Sequence, residues 1–519
     1  MPRLFFLLVA SAALLAQTPA PAMNEGGPHA RFAPSKSPLV LPHLATGQSP
    51  ATASVPTGGK PTREGAEYVA AVATSPSAKV MEEIKTHQQA VSNLQYLCDE
   101  IGPRLTGSDR LVQAHEWMES QMKAYGLTNV HREAYEFGPS WTRGVETARI
   151  LGHNGLNLQV AQMGWNPSTH GPLRGEAILM GGKTLDEMMG LIGHLKGKIV
   201  VMGSFPKTEG DPKGRREKMM KLFGAVRSEG IAAFLMGSEK DNGFLSMTGS
   251  PKGGRFFPNV PAGFLNKEHA NLLKRLLEKH GSLQMELNFG GTFSEKPVQA
   301  YNSIGEIRGS EKPDEVVILG AHLDSWDLGT GATDNGTGCV AALEALRAIQ
   351  ASGVKPRRTI RVVLFSGEEQ GIFGSKAYVK AHEADLKNIQ AVLIDDLGTG
   401  KIRGFAMEGR EDLRPFMAAA IAPLNEMGVR ELPLEQSEDS DHAPFVAVGV
   451  PAFFGIQDNE DYFTTTHHSQ GDTFEHMKPE ALTEGATAMA VTALELANMG
   501  PRLPHKVMEK DEKSAPAAH

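Results

Sequence analysis

Val316-Val317-Ile318-Leu319-Gly320-Ala321-His322-Leu323-Asp324 is an apolar run that delivers an imidazole and then a carboxylate at its end. A short apolar run bounded by turn residues fits a strand buried on both faces. Runs at 360–365, 391–394 and 450–454 follow the same plan, with helical patterns such as 338–350 and 372–382 between them. This alternation predicts an α/β fold, a mixed, mostly parallel sheet flanked by helices. In open sheets of this class ligands collect beyond the carboxyl ends of the strands. The polar residues that stand out in this chain fall there.

His322 and Asp324 lie two residues apart, and a metal-bound imidazole commonly gives its second ring N–H to a carboxylate, a part Asp324 can take. Gly331-Ala332-Thr333-Asp334-Asn335-Gly336-Thr337-Gly338 offers Asp334 just ahead of a helix. No Lys-Ser/Thr follows, and the glycine spacing does not match a nucleotide fingerprint, so a phosphate-cradling loop is set aside. The run ending at Phe365 leads into Ser366-Gly367-Glu368-Glu369-Gln370-Gly371, where one glutamate can bind a divalent cation while its neighbour takes a proton from water. The run ending at Ile394 delivers Asp395-Asp396, and the stretch from Tyr462 to Thr473 adds His467-His468. Each motif alone has an ordinary explanation as solvated surface charge. Together, successive strand ends supply His, Asp, Glu, Asp and His, a set of N and O donors without thiolate. Such a set suits two Zn²⁺ ions bridged by a carboxylate and a water, with Mn²⁺ or Co²⁺ as substitutes. A paired-metal site acidifies water and polarises a carbonyl, so the predicted reaction is hydrolysis, most simply of an amide.

These motifs resemble the secreted dinuclear zinc exopeptidases, the family of bacterial leucyl aminopeptidases and glutamate carboxypeptidases, including its plasma branch. Gly320-Ala321-His322-Leu323-Asp324-Ser325-Trp326-Asp327, the Glu368-Glu369-Gln370-Gly371 turn and His467-His468-Ser469-Gln470-Gly471-Asp472-Thr473 carry the resemblance. So does Ile101-Gly102-Pro103-Arg104-Leu105-Thr106-Gly107-Ser108, which is similar to the family's N-terminal helix motif. The resemblance implies metal ligation by His322, Asp334, Glu369, Asp396 and His468, with Asp334 as the bridge. It further implies Glu368 as general base and Asp324 as the residue orienting His322. Asp396 is preferred over Asp395 because it stands before Leu397-Gly398-Thr399, and His468 over His467 because it precedes Ser469. His467 occupies the position of a tyrosine in glutamate carboxypeptidase and is expected to donate to the developing oxyanion. Asp441 and His442 lie in another segment that is similar to one near the family's site. The implied substrates are short peptides or dipeptides, and a homodimer is the implied assembly. Rival readings are a glutamate-type carboxypeptidase, a one-zinc aminoacyl cyclase, and a binding ectodomain without catalysis. Retention of Glu368 and the full ligand set argues against the last two.

The rest of the chain frames this site. Its 519 residues carry 52 basic and 60 acidic side chains, a net charge of −8 that gives no reason to expect a nucleic-acid partner. Two cysteines exclude a disulfide scaffold and a thiolate cluster. Met1-Pro2-Arg3 followed by an apolar run to Ala16 reads as a signal peptide over 1–22, placing the protein outside the cytoplasm, secreted or periplasmic. Residues 23–76, rich in Pro, Ser, Thr, Gly and Ala, read as a disordered linker. A helix from Ser77 to Ile101 and a second after Ser108 are expected to open the catalytic domain, 77–147 and 296–505. Short apolar runs over 148–295, with a helix at 267–280, read as an inserted β-rich module that corresponds, through the resemblance, to a protease-associated domain. Residues 506–519 read as a flexible tail. After signal cleavage no membrane partner is expected.

Overall fold

The computed structural model describes residues 75–180, 184–202, 212–251, 259–437 and 439–507. The expected signal segment, nearly all of the linker and most of the tail lie outside the described residues. Among those described, no helix is long and apolar enough to cross a membrane.

The first of two sheets has seven strands: β1 (Thr128–Thr142), β2 (Thr292–Ile307), β3 (Lys312–His322), β4 (Arg358–Phe365), β5 (Ile389–Ile394), β6 (Ile402–Ala406) and β7 (Ala452–Gln457), in the order β1-β2-β4-β3-β5-β7-β6. The four central strands β4, β3, β5 and β7 are mutually parallel, with Gly320 opposite Val363 and Ile394, and Ile394 opposite Phe454. Their carboxyl ends therefore share one edge. β1, β2 and β6 join antiparallel. The fold is mixed α/β, as the alternation of runs predicts.

β3 shows why the sequence takes this form. Val317, Leu319 and Ala321 point into a core shared with the Thr337–Ala351 and Pro479–Asn498 helices. Val316 and Ile318 point into a second core with Phe365, Tyr378, Val392, Ile394 and Phe445. From Val316 to Ala321 both faces are dry, so these positions are apolar and no alternation survives there in the sequence. The two helices on the first face bury small side chains, including Ala341, Ala342, Ala345, Ala488, Ala490 and Ala493. Small residues let those helices sit close against the sheet and one another.

The expected 77–101 helix is split into Pro76–His87 and Ala90–Tyr96 with a π turn after them. At the break, the Gln89 N–H donates to the buried Glu344 carboxylate at 3.1 Å, a tertiary bond that replaces a helical one. β1 and β2 form a long antiparallel pair that no periodicity announces, because along β1 only Phe137 and Trp141 are buried.

The second sheet has eight strands drawn from residues 146–289. Leu173–Leu179, Ile199–Met202, Ala233–Gly237 and Ala262–Leu265 run parallel, with helices Pro212–Ser228 and Lys267–His280 among the connections. This sheet is thus itself α/β rather than a plain β layer. It is tied to the first by a stitch of backbone: Met247 N–H donates to the His468 carbonyl at 2.7 Å and Gln470 N–H to the Leu245 carbonyl at 3.2 Å. Arg143 adds a two-pronged grip on Asp327 at 2.7 and 2.9 Å.

Gly338, at the start of the Thr337–Ala351 helix, marks how tightly that helix meets the shared strand edge. A Cβ there would fall 2.2 Å from the Asp395 carbonyl oxygen and 2.3 Å from Asn335 Oδ1. Gly338→Ala is therefore expected to lower the stability of the protein by about 1–3 kcal/mol through overpacking. Denaturant unfolding monitored by circular dichroism measures it, and an unchanged midpoint would refute the packing argument.

Candidate metal centre

His322, Asp334, Asp396, Glu368, Glu369 and the His467-His468 pair meet beyond the common edge of β3, β4, β5 and β7. His322 is the last residue of β3, and its Nε2 lies 3.0 Å from Asp396 Oδ1, 3.4 Å from Asp334 Oδ1 and 4.0 Å from Glu368 Oε2. His468 Nε2 lies 2.8 Å from Glu369 Oε2 and 3.8 Å from Asp334 Oδ2. The two oxygens of Asp334 thus face different imidazoles. His322, Asp334 and Asp396 bring one donor atom each within 4.8 Å of one another, and Asp334, His467 and His468 do the same. Asp334 belongs to both groups.

The structure separates neighbours that the sequence leaves as pairs. Asp396 faces His322, whereas the carboxylate of Asp395 lies between Gly455 and Gly485, away from the imidazoles. Glu369 reaches His468, while Glu368 lies on the His322 side. His467 and His468 stack ring on ring at 3.8 Å. Asp324 acts on His322 through its main chain: Nδ1 bonds the Asp324 carbonyl at 2.9 Å, with the carboxylate 3.7 Å away. That carboxylate accepts instead from Thr106 Oγ1 at 2.8 Å and from the Glu368 N–H at 3.3 Å. Asp441 and His442 pack behind the centre. Asp441 accepts from Ser375, and His442 bonds the Ser437 carbonyl at 3.0 Å.

Electrostatics follow from the crowding. Burial opposes a charge on His322, yet Asp396, Asp334 and Glu368 hold its pKa well above the usual range. Burial, helped by repulsion from neighbouring carboxylates and opposed by attraction to His322, pushes Glu368 and Glu369 well above theirs. Burial and the adjacent His468 bring His467 down to about 3, so it is a neutral ring. A divalent cation fits these residues: Asp334 Oδ2 and Glu369 Oε1 are buried without a hydrogen bond, and Glu369 Oε2 faces the His468 imidazole. Oxygens so placed, beside imidazole nitrogens, are a hard N/O donor set short of positive charge.

Several supporting residues carry no role in the sequence reading. Arg104, fully buried, donates to the carbonyls of Leu323, Thr330 and Gly331 at 2.7 Å each and of Gly102 at 3.2 Å. It clasps the segment after His322 to the turn before Asp334. The space at Gly331 is filled by this clasp, since a Cβ there would lie 2.7 Å from the guanidinium and 2.3 Å from Ser325 Cβ. Asp472 accepts from Thr333 N–H at 2.7 Å, Thr333 Oγ1 at 2.9 Å and Asp334 N–H at 3.2 Å. Ser440 Oγ donates to Asp396 Oδ2 at 2.5 Å. A charged residue in the otherwise apolar and glycine-rich 101–107 stretch was the one visible signal for Arg104.

The family model described as Peptidase family M28 matches residues 302–493. Carboxypeptidase Q from Bos taurus is 30% identical over 421 residues, covering 81% of this chain and 88% of the relative, and carboxypeptidase Q from Homo sapiens is 30% identical over 429 residues with the same coverage. A peptidase M28 precursor from Shewanella amazonensis has a similar structure, with TM-score 0.73 and 28% identity over 84% of this chain and 98% of the other. The zinc aminopeptidase BSAP from Bacillus subtilis shares the fold at TM-score 0.62 and 20% identity, over 79% and 95% of the two chains.

Arg104 and Thr106 are expected to act on metal affinity. Arg104→Met should weaken divalent-cation binding by about 10–100-fold, and Thr106→Val by about tenfold, as replacements behind a ligand shell do. Competition with a chelating dye reads both. Wild-type affinity in Arg104→Met would show that the clasp does not position the ligands.

Proposed function

Because the chain belongs to peptidase family M28 and is thereby a metallopeptidase, we propose that it is a dizinc exopeptidase that trims short peptides or splits dipeptides. The observation that carries this reading is the Asp334 carboxylate, whose oxygens face His322 on one side and His468 on the other. In this reading His322, Asp334 and Asp396 would hold one ion and Asp334, Glu369 and His468 the other. The zinc named for the Bacillus relative and the N/O donor set support the choice of metal.

Two zinc ions held there would supply Lewis acidity, acidifying a water and polarising the scissile carbonyl. Glu368, nearly buried on the His322 side, would accept the proton from that water and hand it to the amine nitrogen as the C–N bond breaks. The Asp324 carboxylate holds Glu368 by its main-chain N–H and is itself held by Thr106. His467, neutral and therefore carrying one N–H, donates it to the carbonyl oxygen as negative charge grows. The 148–295 region is read as the protease-associated domain, and the N-terminal apolar run as the signal that delivers the protein outside the cytoplasm.

Glu368→Gln should lower kcat by about 10²–10⁴-fold with metal content unchanged. Steady-state hydrolysis of dipeptides and aminoacyl anilides, paired with metal analysis, tests this; retained turnover would overturn the base assignment. His467→Phe should lower kcat by about 10²–10³-fold, the cost of one lost oxyanion donor. Unchanged turnover in that variant would remove the role.

A further inference from the structure

Burial of a cation is tolerated when an anion or a full set of acceptors comes with it. Arg347 meets Glu344 and Glu83, Arg358 meets Glu315, and Arg410 meets Asp412. Arg104 spends its donors on four carbonyls. Lys240 departs from this rule. It is only 7% exposed, and among the described residues its ammonium has one hydrogen-bond partner, the Phe463 carbonyl at 2.5 Å. An ammonium has three donors, so two are left over. Among the described residues no carboxylate lies within 4.0 Å of it.

Its position gives the unmet demand a meaning. Lys240 follows the strand Ala233–Gly237, and its N–H donates to Ser238 Oγ, which is in turn bonded to Ser246 Oγ. Ser246 pairs antiparallel with Ser469, beside His468. Phe463, whose carbonyl receives the ammonium, packs its ring against His467 at 5.4 Å. Lys240 is therefore carried by the second sheet to the margin of the metal centre. Burial draws its pKa down, while the Asp334 carboxylate pulls it back up through space.

We propose that Lys240 is the receptor for a substrate carboxylate, most directly the free C-terminal carboxylate of a dipeptide. The inference rests on the peptidase reading above and sharpens its substrate class. The carboxylate supplies the missing anion and the missing acceptors, and binds the substrate with its carboxyl-terminal residue beside the His467-His468 turn. An ammonium with unused donors has more to gain from a charged oxygen than from an amide.

The test compares kcat/KM of the zinc-loaded enzyme for Ala-Leu, Ala-Leu-amide and Ala-Glu-amide, in wild type, Lys240→Met and Lys240→Arg. Wild type is expected to favour Ala-Leu over its amide by about tenfold or more, an advantage that Lys240→Met abolishes and Lys240→Arg partly keeps. An advantage of Ala-Glu-amide over Ala-Leu-amide that Lys240→Met removes supports the receptor and puts its anion on the substrate side chain. If Lys240→Met slows all three equally, leaving the ratios as in wild type, Lys240 serves only to hold Phe463 and the proposal falls. If zinc-loaded wild type hydrolyses none of the three, the peptidase reading itself fails and takes the proposal with it.

Discussion

The constraint on which the rest of the structure depends is the placing of one carboxylate between two imidazoles. Asp334 can turn an oxygen to each of His322 and His468 only if its own backbone is held still. The price is a concentration of like charge, because Asp396, Glu368 and Glu369 stand around the same spot. Unfavourable packing of this kind persists when the surroundings over-determine it. Asp472 fixes the Asp334 and Thr333 amides, Arg104 fixes the turn before them, and Ser440 fixes Asp396. The parallel sheet supplies the frame, since four strands ending at one edge bring residues 74 positions apart, His322 and Asp396, within 3.0 Å.

The central sheet was legible because a strand covered on both faces has no choice but to be apolar. β3, β5 and β7 show as short apolar runs and β4 as one interrupted by the partly exposed Arg361, and polar residues of the candidate site follow the carboxyl ends of β3, β4 and β5. β1 and β2 were not legible, since a half-exposed pair with register shifts leaves no period of two to detect. The break at Gln88 could not be read either. It depends on Glu344, a residue 255 positions from Gln89.

The site was legible to the level of residue type and less so to that of role. Paired residues such as Asp395-Asp396 and His467-His468 are equivalent on composition, and the motif resemblance chose between them. Geometry adds the reason for Asp396: adjacent residues at a strand end point to opposite sides, and Asp395 falls on the side of Gly455 and Gly485. Asp324 shows the limit. Its spacing from His322 suggested a side-chain partner, but the bond runs through its carbonyl, and the carboxylate supports Glu368. The clasp by Arg104 spans more than 200 positions and has no local signature.

The backbone stitch between Met247 and His468 has an implication for how such a protein changes over evolutionary time. The loop that carries His468 is joined to the connection after Ala233–Gly237 by an isolated bridge between Ser469 and Ser246. On the proposed reading, exchanging that sheet for a foreign one would shift the His468 loop and so change substrate selectivity and ion retention in a single event.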